Sequence, residues 1–139
     1  MGHVDPTKEV FAQFKANARP GPIHMLNLVR LRAQAAYPDG RKVTGAEAYA
    51  NYGKDSSAVF SRVGGSVVWS GMMEAMVIGP LAEHWDAMFI AHYPNSGAFM
   101  EMVTDPVYRQ AVVHRQAAVE TSRLIRCARN PSRSETVFG

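Results

Sequence analysis

Cysteine is almost missing from this chain, and that scarcity excludes a good deal. Cys127 is the single cysteine in 139 residues, so no disulfide can form within the chain and no Cys-x-x-Cys pair can hold zinc. The five histidines show no His-x-x-x-His spacing, so no metal site is expected. Gly-x-Gly-x-x-Gly and Walker loops are both lacking, which removes the usual phosphate cradles and leaves no dedicated cofactor in view. No apolar run approaches the roughly 20 residues of a membrane span. The first ten residues lack the apolar core of a secretory signal. A cytoplasmic protein without membrane partners is the expectation.

One-sided charge is scarce as well. Fifteen basic residues against twelve acidic ones leave a net charge of +3. Arg123, Arg126, Arg129 and Arg133 supply part of the excess. Only Phe138 accompanies them, so a solvated last strand and tail suits this run better than a nucleic-acid surface, which interleaves aromatics with its charges.

What is present organises as one domain, with a core large enough to need no metal or disulfide. Residues 1–20 form a helical extension. Asp5 before Pro6 predicts its N-cap, and Val10, Phe11 and Phe14 share its apolar face. Residues 21–128 form the main domain, and residues 129–139 a loose tail. Ile23 to Arg32 predicts a strand with Met25, Asn27, Val29 and Leu31 on one face. Thr44 and Glu47 make a capping box for a helix reaching about Val63, ended by Gly64. Val67 to Met73 is the second strand, with a further stretch at Met76 to Ile78. Trp85 to Tyr93 is the third. A helix capped by Asn95 or Ser96 restarts at Asp105-Pro106, and Val119 to Cys127 is the last, more polar strand.

Strand–helix–strand–strand–helix–strand with right-handed crossovers predicts a ferredoxin-like α+β fold. Its antiparallel sheet of four strands has the first and third at the centre. Those two are apolar on both faces, yet the helices cover only one. A homodimer packed across the open face is the expected remedy.

Met25-Leu26-Asn27-Leu28, Glu47-Ala48-Tyr49 with Tyr52-Gly53, Gly64-Gly65, Tyr93-Pro94, and Asp105-Pro106-Val107-Tyr108 followed by Arg115 and Ser122-Arg123-Leu124-Ile125 carry a resemblance. Over residues 22–126 the chain resembles the family known as domain of unknown function thirteen-thirty. The resemblance implies a dimeric α+β barrel, in which two four-stranded sheets pack about a two-fold axis. That superfamily includes cofactor-independent monooxygenases, lactone isomerases and haem-handling enzymes. The narrower family has no agreed reaction, so it brings no catalytic residues with it.

Among single residues, Asn27 stands out because asparagine is disfavoured in strands. It serves either as structural hydrogen-bonding or as a polar anchor in an apolar pocket. His92, near a strand end, is the candidate catalytic base, against the plainer reading of a half-exposed histidine. Arg115 either anchors an anion or caps its helix, and it points about 100° away from His114. Tyr52 and Trp69 are candidate substrate-binding aromatics, with Tyr49 beside them; a helical stripe of this kind also serves as plain core. Cys127 is not expected to act as a nucleophile. These residues point to a homodimer binding a small apolar or carboxylate-bearing metabolite. If catalytic, it would be a cofactor-independent isomerase or monooxygenase with Asn27 or Arg115 steadying the anion. The alternatives are a non-catalytic ligand-binding or protein-interaction dimer and, by analogy alone, haem held by His92 or His114.

Overall fold

The computed structural model of the chain describes residues 2–130; most of the expected tail, with Arg133 and Phe138, lies outside the described residues. The elements are α1 (Lys8–Ala16), β1 (Ile23–Leu31), α2 (Gly45–Arg62), β2 (Ser66–Gly71), β3 (Ala87–Tyr93), α3 (Ser96–Thr104), α4 (Pro106–Ala118) and β4 (Val119–Cys127). The strands form one antiparallel sheet in the order β2-β3-β1-β4. This is the ferredoxin-like α+β fold, with β1 and β3 central as expected.

Local chemistry sets the helix boundaries. The Thr44 hydroxyl accepts from the Glu47 N–H at 3.0 Å, which starts α2. Gly64, at φ 88°, ends it and lets the Gly65 N–H reach the Phe60 carbonyl at 2.8 Å. The Asn95 side chain accepts from the Ala98 N–H at 2.8 Å and starts α3. Asp105 starts α4, accepting from the Val107 N–H at 2.7 Å, with Pro106 in the first turn. The cap of α1 differs from the sequence expectation. Thr7, not Asp5, caps it by accepting from the Val10 N–H at 3.2 Å. The Asp5 carboxylate instead accepts from the Gln116 amide at 3.2 Å, so it is spent on tethering the extension.

Alternation along the central strands places Ile23, Met25, Asn27 and Val29 on the helix-covered face. Two apolar clusters result. One gathers Ile23, Met25, Ala91 and Tyr93 under Val59, Phe99 and Met102. The other gathers Val29 and Val119 under Ala48, Ala117 and Tyr37. Asn27 belongs to neither and sits between them.

Two features of the sheet were not visible in the residue pattern. The β2–β3 register shifts between Val67 and Trp69, so Val67 pairs with Ala91 whereas Trp69 pairs with Ile90. The extra residue turns Trp69 onto the open face. Residues 76–78 add no strand. Instead, Met72, Val77, Ile78 and Leu81 lie in an irregular connection and are largely exposed. Among the described residues no helix is long and apolar enough to cross a membrane.

Candidate functional site

Where the core divides, a cleft of about 1400 Å³ opens between the sheet and the helices. Its floor is strand residues that share Asn27's face: Phe89 opposite it on β3 and Leu124 opposite it on β4. One wall is Tyr49, Tyr52 and Ser56 of α2 with Tyr108, Val112 and Arg115 of α4. The N-terminal extension forms the other side through Val4, Phe11 and Phe14. No α1 residue is fully buried, so the extension lies against the domain rather than within its core.

The wall is built from hydrogen-bond donors. The Tyr52 and Tyr108 hydroxyls are bonded to one another at 2.8 Å, and the Tyr49 and Tyr52 rings pack at 5.6 Å between centroids. Burial pushes all three phenols above their usual pKa, so they are neutral near pH 7 and can donate. The Tyr52–Tyr108 bond uses one proton; the second hydroxyl proton has another direction to take. Asn27 donates through its amide nitrogen to the Met25 carbonyl at 3.0 Å. Its oxygen has no hydrogen-bond partner among the described residues, leaving an acceptor on the floor of the cleft.

Arg115 does two jobs at the other end. It donates to the Val4 carbonyl at 2.6 Å and to the Ser122 hydroxyl at 3.2 Å. Ser122 in turn donates to the His3 carbonyl, from its hydroxyl at 2.8 Å and from its N–H at 2.7 Å. The extension is therefore stitched to β4 across the cleft margin. Arg109, Arg115 and Arg126 all line the cleft, against Asp5 as its one lining carboxylate among the described residues. That balance favours an anionic occupant.

The structure brings Asn27, Tyr52 and Arg115 to this one cleft. It does not bring His92 or Trp69 there. His92 pairs with His24, their rings 5.1 Å apart, on the opposite face of the sheet. Trp69 is on that face too, about half exposed. His114 turns away from the cleft: its Nδ1 meets the Tyr37 hydroxyl and its Nε2 faces an Asp55 carboxylate oxygen at 3.3 Å. With both nitrogens engaged there and His92 across the sheet, these residues do not fit an axial haem ligand in the cleft. Tyr108, Phe89 and Arg126 are cleft residues that the sequence did not single out. Arg126 left no signal that separates it from Arg123, because which face of β4 points inward depends on its pairing with β1.

A family model described as a domain of unknown function (DUF1330) matches residues 40–126. Asn27 precedes the matched stretch. No curated protein matches the chain. Among solved structures, RPA0582 from Rhodopseudomonas palustris, a protein of unknown function, is 70% identical; 91% of this chain and 96% of that one are covered, at a TM-score of 0.89. Methylated RPA0582 is 69% identical over 94% of this chain and 98% of that one, at a TM-score of 0.92. SnoaB from Streptomyces nogalater, a cofactor-independent oxygenase, is 15% identical over 83% of this chain and 99% of that one, at a TM-score of 0.54. That last likeness is one of fold.

Proposed function

This chain belongs to the DUF1330 family, and from its cleft we propose that it binds a small, partly aromatic metabolite bearing a carboxylate or an enolisable carbonyl. The observation that carries this reading is the break in the core at Asn27. Two apolar clusters end there, and the gap is lined by a phenol pair, an unpaired amide oxygen and guanidinium groups. A few placed polar groups in an apolar concavity are what small-molecule sites use to orient a ligand. A ligand hydroxyl would donate to the Asn27 oxygen, and a ligand carbonyl or anionic oxygen would accept from the phenols.

The same donors support a second, catalytic reading as a cofactor-independent isomerase or monooxygenase. Neutral phenols fixed in a buried wall lower the energy of a developing enolate. Their raised pKa makes them donors rather than bases near neutrality. A base would have to come from elsewhere, since His92 is across the sheet within one chain. The binding reading stands without any chemical step.

The open face of the sheet supports a homodimer. Leu26, Leu28, Met88 and Ile90 share that face with Trp69 and Ile125, and the last two are about half exposed. An apolar surface of this kind is usually covered, and an isologous pairing covers it on both copies at once.

The test of the site is a thermal-shift screen of small aromatic acids and quinols on wild type and Asn27→Leu in parallel. Compounds should stabilise wild type and lose that effect on the variant. A large fall in the melting temperature of the variant, with no compound shifting wild type, would make Asn27 structural and sink the proposal.

A further inference from the structure

We propose that Arg126 is the carboxylate-binding residue of this cleft and that its ligand is an aromatic monocarboxylate of about two rings. The inference rests on the cleft being a ligand site, and it adds the orientation and the charge of the ligand. Arg126 stands opposite Met25 on β1, so its side chain rises on the same face as Asn27 and Leu124. Its guanidinium lies 4.7 Å from the centroid of Phe14 in the extension. One terminal nitrogen donates to the Phe14 carbonyl at a long 3.3 Å. The other is buried and has no partner among the described residues. A buried charged donor without an acceptor is costly, and folded proteins rarely leave one so.

The second observation is electrostatic. Arg126 has Arg19 for a neighbour, and burial first and the Arg19 charge second push its guanidinium below its usual basicity. Among the described residues Arg19 itself donates only to neutral carbonyls, of Pro20 at 3.2 Å and Pro22 at 3.0 Å. Among the described residues neither guanidinium forms an ion pair. Two like charges close enough to perturb one another, one of them on a residue lining the cleft, are what an incoming anion would relieve. Arg115 differs, because both its terminal nitrogens are already satisfied by Val4 and Ser122. It latches the extension, whereas Arg126 has bonding capacity left over.

A carboxylate fits the planar fork of a guanidinium. Residues alternating on one face of a strand repeat at about 6.6 Å. One such step from Arg126 reaches Leu124 and, beside it, Asn27. An acid held by Arg126 therefore lays its rings over Leu124 and Phe89, and a hydroxyl on the far ring meets the Asn27 oxygen. The Phe14 ring, 5.0 Å from Phe99, closes the carboxylate end.

The experiment compares 6-hydroxy-2-naphthoate with 2-naphthol by isothermal titration calorimetry on the full chain. Wild type should bind both, the acid more tightly by on the order of tenfold or more. Arg126→Gln should bind naphthol as wild type does and lose the preference for the acid. Unchanged affinity for the acid in Arg126→Gln would overturn the assignment while leaving the cleft a ligand site. Failure of wild type to bind either probe would overturn both. If Arg126→Gln does not fold, Arg126→Lys keeps the charge and loses the fork. It should weaken acid binding alone, and wild-type affinity there would also overturn the proposal.

Discussion

Asn27 and His92 stand on opposite faces of one sheet. Asn27 pairs with Phe89 and projects into the cleft, while His92 pairs with His24 and projects away from it. Within one chain they cannot serve a common substrate. His92→Ala should therefore leave ligand-induced thermal shifts unchanged. Asn27→Leu should abolish them, with a stability change within about 1 kcal/mol, because the amide donates only to its own strand. A histidine variant that lost binding would mean that the ligand sits on the open face.

The adjacent pair Phe89 and Ile90 separates the two proposed surfaces in the same way. Phe89 lines the cleft and Ile90 faces outward beside Trp69. Light scattering should give twice the chain mass for wild type and for Phe89→Asp where that variant folds. Ile90→Asp should give the single-chain mass while keeping its circular dichroism. A wild type that stayed at the single-chain mass at every concentration would remove the homodimer.

Gly45 opens α2 directly against the preceding connection. A methyl group at this position would clash with the Arg32 carbonyl oxygen, a backbone atom that cannot swing aside. Gly45→Ala should therefore destabilise by about 1–3 kcal/mol, as overpacking does, although alanine is the better helix former. Urea unfolding of the variant at or above wild-type stability would show that the β1–α2 connection can shift.

Much of this arrangement was legible in the residues, because local chemistry writes it. Thr44 with Glu47, Gly64, and Asp105 with Pro106 announce their boundaries through caps that need only near neighbours. Asn27 was legible because an amide interrupts an apolar alternation. The placement of His92 and Trp69 was not. It depends on how β3 pairs with β1 and on one extra residue between Val67 and Trp69, and a long-range register leaves no mark on the local sequence. Arg126 was hidden for the same reason: on a polar edge strand, an inward arginine resembles its outward neighbour Arg123 until the partner strand is known. The cap of α1 failed on a closer contest, since Asp5 and Thr7 both suit the position and Gln116 takes the former.

Asp105 ties two helices together. One carboxylate oxygen caps α4, and the other accepts from Arg62 of α2 at 2.7 Å. Asp105→Ala should cost about 1 kcal/mol for the cap. It should cost little more for the ion pair, whose arginine is half exposed. Arg62→Ala should then cost well under 1 kcal/mol. Equal losses in urea melts of the two variants would assign the effect to the ion pair instead.

The cleft wall also fixes how stability should respond to alkali. Tyr49, Tyr52, Tyr93 and Tyr108 all have pKa values raised by burial above the ordinary 10.0. The unfolded chain releases these protons near its ordinary value, while the folded chain holds them. Between the two values the folded state binds more protons, so stability falls as pH rises. The phenols' contribution should be fully present below about pH 10 and lost progressively above it. Urea midpoints from about pH 8 to about pH 11 should be flat and then fall. Phenolate absorbance from these four rings should appear only as the chain unfolds. Tyr52→Phe should make the fall shallower, by removing one of the protons that the folded state retains. Phenolate absorbance that developed in full near the ordinary value, with the fold intact, would mean that these hydroxyls are open to water. The phenol wall would then lack the fixed, water-excluded donors on which the binding site depends.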